Sequence, residues 1–521
     1  MKRFFLVSAV LASLTAFGCK APDKGYDIYI YNSKGENAAQ FEAMCRAYTA
    51  ETGVRVKAFS IGSGQDHAET LRSEMNTKNK PTIFSIQGIK ELIEWRDGSF
   101  VQDLSKVEDS GFAALARNIA PSLRLTTDGT TSYGVPYNVE GYGYIIDRQM
   151  IGALFGADSV DAVLGDIKTA SYDEWAALVL ALDGWIKSPS AAGVVLSGKD
   201  YSLVSAKSGP AANLTGVFAV MGAEKWTYGD HFVNVAMNAA FSSSNDAFTA
   251  DDGKVRAARN AFVDYAQALD LKTGHLAGKN GPAQRGQDFV SSANYGYDQT
   301  VQIFADSKAV FFKQGNWAYG NIANVNKGMA ERLEFLPVKM PFKAADITRT
   351  DGMTVEKLNR SIPVFVPNYY AVNALAAEDE KKMAYDFLVW LNTSPAGQKF
   401  LVEDFAFIPY NADPAVTTVP NSLGNSIIEY MKTGDIIAAP YHGAPASWSG
   451  DVVGLKLMED YMTKPVWAAA DYEAIADYAV DQWIKLKESG VFFAGRRWAA
   501  GPTNPGGLTE GGARWTAIKG G

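Results

Sequence analysis

Between Asp27 and Ile86 the sequence repeatedly switches its hydrophobic period. Asp27-Ile28-Tyr29-Ile30-Tyr31 is β-rich, a helical pattern runs through Glu51 until Gly53 stops it, and residues 54–59 are β-rich again. A second helical pattern covers 65–76, Pro81 punctuates, and residues 82–86 supply a third apolar strand. Strands separated by helices in units of about 30 residues predict a parallel sheet covered on both faces. Ligands of such sheets collect where loops leave the carboxyl ends of the strands. Here those loops are 32–36, 62–66 and 87–88.

At roughly 150 residues per domain, the 521 residues predict two large lobes rather than one unit. Hydrophobic residues make up 47% and charged residues 20%, enough apolar material for cores and too much for a disordered chain. Lys plus Arg is 49 against Asp plus Glu 57, a net charge of −8 with no basic block, which argues against a nucleic-acid partner. Part of the 11 Trp and 24 Tyr is ordinary core, but these residues are also what a site needs to hold a polar ligand with an apolar face.

Lys2 and Arg3 precede an uncharged run over 4–17, too short to span a membrane and right for an export signal. The run ends in Leu14-Thr15-Ala16-Phe17-Gly18-Cys19, which resembles a bacterial lipobox. That resemblance implies a signal peptide over 1–18, cleavage before Cys19 and acylation of Cys19. It is relaxed, because Ala16 stands where a strict lipobox has Leu. With Cys19 lipidated, Cys45 has no partner, so no disulfide is expected. Cys45 shares a helical face with Phe41, Met44 and Tyr48 and reads as a buried, inert thiol. Residues 19–25 read as a short polar tether.

Residues 133–138 open an extended segment that continues to Ile146 and reads as a crossing between lobes. From 151 to about 305 the chain is mostly helical by period, with patterns at 172–186, 211–221 and 255–269. Residues 309–312 and 334–337 read as strands, and 363–372 as a second crossing. Helical patterns resume at 380–391 and 395–403, and again through the C-terminal third. The expected division is a first part of lobe one over 26–135, mainly lobe two over 136–310, a return through the hinge over 311–370, and helical segments over 371–500 completing both lobes. The Gly/Pro-rich stretch 501–521 reads as a loose tail.

Taken in order, an acylated N-terminus, strand–helix alternation from the start, Tyr133-Gly134-Val135-Pro136-Tyr137-Asn138, Phe312-Lys313-Gln314-Gly315-Asn316-Trp317, and Phe387-Leu388-Val389-Trp390-Leu391 before Ser394-Pro395-Ala396-Gly397 resemble the extracellular solute-binding proteins of bacterial carbohydrate ABC transporters. The similarity runs to about residue 410. It implies a periplasmic-binding-protein-like α/β fold: two α/β lobes with central sheets, joined by crossing hinge strands, that close on a sugar and deliver it to an ABC permease. It also implies a monomer held by lipid on the outer face of a membrane. The chain is longer than the family pattern by the segment after about 420, and Glu140 stands where relatives vary.

A pyranose carries hydroxyls around its rim and weakly apolar faces, so its site needs planar aromatics with a ring of amides and carboxylates. Trp317 follows Gly315, whose missing side chain allows close backbone approach. Tyr137, Tyr142 and Tyr369 lie at the crossings, and Trp448 on a Ser/Gly-rich loop; Trp317 and Trp448 stack on ligand or else fill a core beneath their loops, and Trp226 equally suits a helix cap. Gln65 and Asp66 open a helix after Gly62-Ser63-Gly64, where free N–H groups face outward, although Asp66 equally caps that helix. Glu36 begins the first helix, Gln87 follows the third strand, Asn138 and Glu140 follow Tyr137, and Asn316 and Asn368 precede aromatics.

No nucleophile elbow, phosphate loop or zinc-binding His-Glu-x-x-His motif occurs, and His67, His231, His275 and His442 show no ligand spacing, so neither metal nor cofactor is expected. The rival readings are an exported carbohydrate-active enzyme with Glu140 and Asp66 as paired carboxylates, and a receptor that presents ligand to a sensor kinase.

Overall fold

The computed structural model describes residues 24–62, 67–120 and 123–489, and the backbone of short strands between 496 and 517. The export signal, Cys19, the start of the tether, Gln65, Asp66 and most of the tail lie outside the described residues.

Ile28–Asn32 is buried along its whole length and pairs in parallel with Val56–Ser60 on one side and Ile83–Ile86 on the other. Ala38–Thr52 makes the first crossover and stops at Gly53, whose φ of 79° is the left-handed value that glycine adopts without strain. Tyr369–Val372 joins antiparallel beside Ile83–Ile86, and Val135–Pro136 closes a five-stranded sheet. The helix Ala38–Thr52 buries Phe41, Met44, Cys45 and Tyr48 with Phe387 and Trp390 against one face. Burial pushes the Cys45 thiol up to about 12, so it stays protonated and unreactive.

The second sheet has eight strands among the described residues, centred on Ala309–Gly315 and Glu140–Asp147. Leu333–Leu336 and Ile362–Phe365 pair with opposite ends of Glu140–Asp147. The chain crosses between sheets where Val135–Pro136 gives way to Glu140–Asp147 and where Ile362–Phe365 gives way to Tyr369–Val372. A third crossing, absent from the sequence reading, follows Ile408, which bridges Val139, and leads to the helix Ser422–Thr433 against Leu333–Leu336.

The segment after 420 belongs to lobe two. Ile436–Ile437 adds an edge strand beside Ile362–Phe365, and the long helix Ala469–Ser489 packs along Arg259–Gly274. Residues 211–221 are not helical, contrary to the expectation. They form a short 3-10 turn and the strand Gly216–Ala219, buried between Leu276–Ala277 and Ala309–Gly315. A fully buried strand is an unbroken apolar run, which period alone does not separate from a buried helix. Among the described residues no helix is long and apolar enough to cross a membrane.

Candidate functional site

A cleft of about 820 Å³ lies between the sheets, with Ser33, Lys34 and Gln87 on one side and Trp226, His231 and Trp317 on the other. A hollow of about 370 Å³ continues it past Glu36, Glu140 and Trp317 toward Asn321 and Glu403. The result is an elongated groove. A larger hollow, about 1040 Å³ around Gly278 to Asp288, is walled by lobe two alone. The inter-lobe groove is the stronger candidate, because both sheets deliver loops to it.

The loop after the first strand is fixed by Asn32, whose amide donates to the Lys34 carbonyl at 2.9 Å, Asn37 Oδ1 at 3.0 Å and Ser60 Oγ at 3.0 Å. Lys34 Nζ is thereby aimed across the cleft at Glu140 Oε1, and it lies 3.4 Å from Glu36 Oε1. Burial works to lower the ammonium, but Glu140 and Glu36 outweigh it and hold Lys34 above its ordinary value. Nearby, Glu91 accepts the Gln87 N–H at 2.7 Å and faces His67 Nε2 at 3.3 Å. Burial opposes that carboxylate, yet the His67 ring and the backbone contact bring it down to about 2.

The lobe-two wall is built on two π-helical turns, Thr227–Phe232 and Trp448–Gly454. A π turn carries one residue more than the α-helical ladder and often marks a functional site. Here the first turn brings Asp230 and His231 to the groove, and the Ser449 hydroxyl donates to Asp230. The turns approach closely at Gly229, where an added Cβ would lie 2.6 Å from Gly454 Cα. Gly229→Ala is therefore expected to destabilise the protein by about 1–3 kcal/mol, the usual cost of overpacking against backbone. Thermal unfolding of the variant checks this.

His231 occupies an aromatic box. It stacks on Tyr142 at 4.6 Å and 18°, with Trp317 at 5.1 Å, Trp226 at 5.2 Å and Tyr441 at 5.7 Å. Trp317 reaches this box because its ring folds back over Gly315, where an added Cβ would sit 2.1 Å from it. Gly88, at φ 78°, lets the lobes touch: a Cβ there would lie 2.8 Å from His442 Cγ. Burial, with Lys90 close by, pulls His442 down to about 3 despite Glu91, so its ring is neutral.

Of the residues expected at the site, Glu36, Gln87, Glu140, Trp226, Trp317 and Asn368 line the cleft. Asn316 lines its continuation and accepts the Gly141 N–H at 3.1 Å. Asn368 also accepts the Ser33 hydroxyl at 3.0 Å. Asn138 is fully buried and supports Glu140 Oε1 from 3.0 Å rather than facing the groove. Tyr137 lies inside lobe one against Tyr370 at 4.4 Å and Phe407 at 5.1 Å, and Tyr369 is buried in the same sheet. Trp448 is 0% exposed, donates to the Ala479 carbonyl and packs on Trp483, so it is core and not a stacking platform.

Sequence reasoning missed Lys34, His231, Tyr441 and the convergence of His67, His231 and His442 on one cleft. The aromatic neighbours of His231 are drawn from positions 142 to 441, so no local spacing signals them. Among the described residues no group of His, Cys, Asp and Glu side chains is arranged to hold a metal ion.

The fold recurs in solved structures. A raffinose-bound RafE solute-binding protein is 14% identical, with a TM-score of 0.59 over 88% of this chain and 99% of its own. A chitin oligosaccharide binding protein is 14% identical, with a TM-score of 0.57 over 89% of this chain and 100% of its own. The maltose/maltodextrin-binding domain MalE from Bdellovibrio bacteriovorus, bound to maltotriose, is 15% identical, with a TM-score of 0.53 over 88% and 99%. These likenesses establish the fold. The comparison with curated proteins returns no match. Residues 43–420, a span that holds all but one strand of each main sheet, match the family model of bacterial extracellular solute-binding proteins, and the chain belongs to that family.

Proposed function

We propose that the chain binds a sugar or oligosaccharide in the inter-lobe groove, outside the cytoplasmic membrane, and hands it unaltered to an ABC permease. The observation that carries this reading is the pairing of an aromatic wall, Trp226, Trp317 and Tyr441, with a facing rim of carboxylates and amides that includes Glu36, Glu140 and Gln87. Flat rings take the apolar faces of a pyranose while the rim takes its hydroxyls. The groove runs on beyond Trp317 toward Asn321, which suits more than one sugar ring. Structural neighbours bound to raffinose and maltotriose support the same ligand class. Closure of the lobes about their crossings would remove water from these contacts and present one shape to the permease.

Binding without turnover fits the geometry at Glu140, whose Oε1 is held by Lys34 and Asn138. The export signal and Cys19 fit a monomer tethered by lipid outside the cell membrane, and loss of acyl labelling in Cys19→Ser tests the anchor.

Thermal unfolding in the presence of oligosaccharides tests the binding. A ligand at 100 times its dissociation constant adds about 2.7 kcal/mol of stability, and chromatography of the recovered ligand should show no cleavage. Trp317→Ala is expected to remove that shift while leaving the unliganded transition in place. Cleaved linkages, or a shift unchanged by Trp317→Ala, would count against the reading.

A further inference from the structure

We infer that His231 is the specificity-determining residue of the groove: its imidazole, boxed by aromatic rings and lacking a protein partner at Nδ1, pairs with one hydroxyl of a sugar ring that carries no anionic group. This rests on the saccharide reading above and narrows it.

Three observations converge on this ring. The first is position. His231 is 9% exposed, lies on the π turn Thr227–Phe232 and still lines the groove. The second is its unmet capacity. Nδ1 is buried and no protein atom satisfies it, whereas buried polar atoms almost always find a partner. An imidazole carries one donor and one acceptor, so it can complement a hydroxyl in either sense. The third is the surrounding rings. Tyr142 holds one face of the imidazole, and Trp226, Trp317 and Tyr441 stand around it. A sugar ring entering this box meets flat apolar surface and an imidazole whose Nδ1 has no protein partner.

The charges around the box set the ligand class. Burial, with Lys313, His442 and Lys90 nearby, holds His231 well below the ordinary imidazole value, so it offers no cation to an anionic ligand. Carboxylates, among them Glu36, Glu140, Glu224 and Asp230, outnumber the lysines and arginines of the groove. Of the four cations, Lys34 is paired with Glu140, Arg72 with Glu94 at 2.8 Å and Lys225 with Asp451 at 2.8 Å, which leaves Lys90, 5.2 Å from the centre of the Tyr441 ring, against carboxylates that include Glu224 and Asp230. A uronate or sugar phosphate would enter against this excess of negative charge.

Calorimetric titration of the mature chain tests the assignment. The probes are malto-, xylo- and chito-oligosaccharides and raffinose, with oligogalacturonides as the anionic counterparts. A neutral probe should bind the wild-type protein, and each oligogalacturonide should bind more weakly than the best neutral probe or not at all. His231→Phe keeps a flat ring but no hydrogen-bonding atom, and should weaken the neutral probe by about tenfold or more. His231→Gln restores a donor and an acceptor and should recover part of that loss; it also serves if His231→Phe fails to fold. Undiminished affinity in His231→Phe, or a loss in His231→Gln as large as in His231→Phe, overturns the role of His231. Preference for an oligogalacturonide overturns the ligand class. Absence of any saccharide binding by the wild-type chain overturns the saccharide reading itself.

Discussion

Lys34→Met is expected to lower the unfolding free energy by about 3–5 kcal/mol, the loss typical of removing one partner from a buried ion pair. The side chains of Lys34 and Glu140 are only 6% and 4% exposed, so Glu140 would be left desolvated beside Asn138 without its cation. The pair also links the lobes, since Lys34 follows a strand of the first sheet and Glu140 begins a strand of the second. Replacing both members, as in Lys34→Met with Glu140→Leu, should recover most of the loss, because two well-packed apolar side chains carry no desolvation penalty. Denaturant unfolding of the single and double variants measures this, and a single variant within about 0.5 kcal/mol of wild type would show that the pair is not structural.

The opposite sign is expected at Lys272. Its side chain is buried with Nζ 4.0 Å from the centre of the Phe232 ring, and burial pulls the ammonium down to about 7. An unfolded lysine titrates near 10.4. Between those values the folded chain binds fewer protons than the unfolded one, so stability rises with pH by about 1.4 kcal/mol per unit for this group. Lys339, buried and also pulled down to about 7, contributes a second such slope, and Lys313, which burial holds well below the ordinary lysine value, a third. Lys272→Met keeps the volume and removes the neutralisation cost, so it should stabilise the protein at pH 7 by on the order of 4 kcal/mol. It should also remove about a third of the rise in stability between pH 8 and 9. The Asp264 carboxyl, raised by burial and Asp346 to about 8, completes its titration in the lower part of that interval and subtracts equally from variant and wild type, while the tyrosines ionise above it. An equal slope in variant and wild type would remove Lys272 as its source.

The parts legible in the sequence were those with local signals. The alternation over 27–86 gave the first sheet, because each element there carries its own period and its own stop. The extended runs over 133–146 and 363–372 marked two crossings. The run 211–221 misled because a strand buried on both faces looks apolar throughout. Trp448 misled because a Ser/Gly-rich neighbourhood says loop, while the structure uses those small residues to let a π turn sit tightly over the lobe-two core. His231 was illegible for a different reason. Its surroundings come from the second sheet, from the loop after Gly315 and from the segment after 420, and only the folded chain brings them together.

The strand Tyr369–Val372, which lies between Ile83–Ile86 and Val135–Pro136, bears on the order of events during synthesis. A nascent polypeptide cannot complete the N-terminal half until Val372 has left the ribosome, nor the other half until Ala469–Ser489 arrives to cover Arg259–Gly274. Pairing partners so distant along the chain make maturation slow.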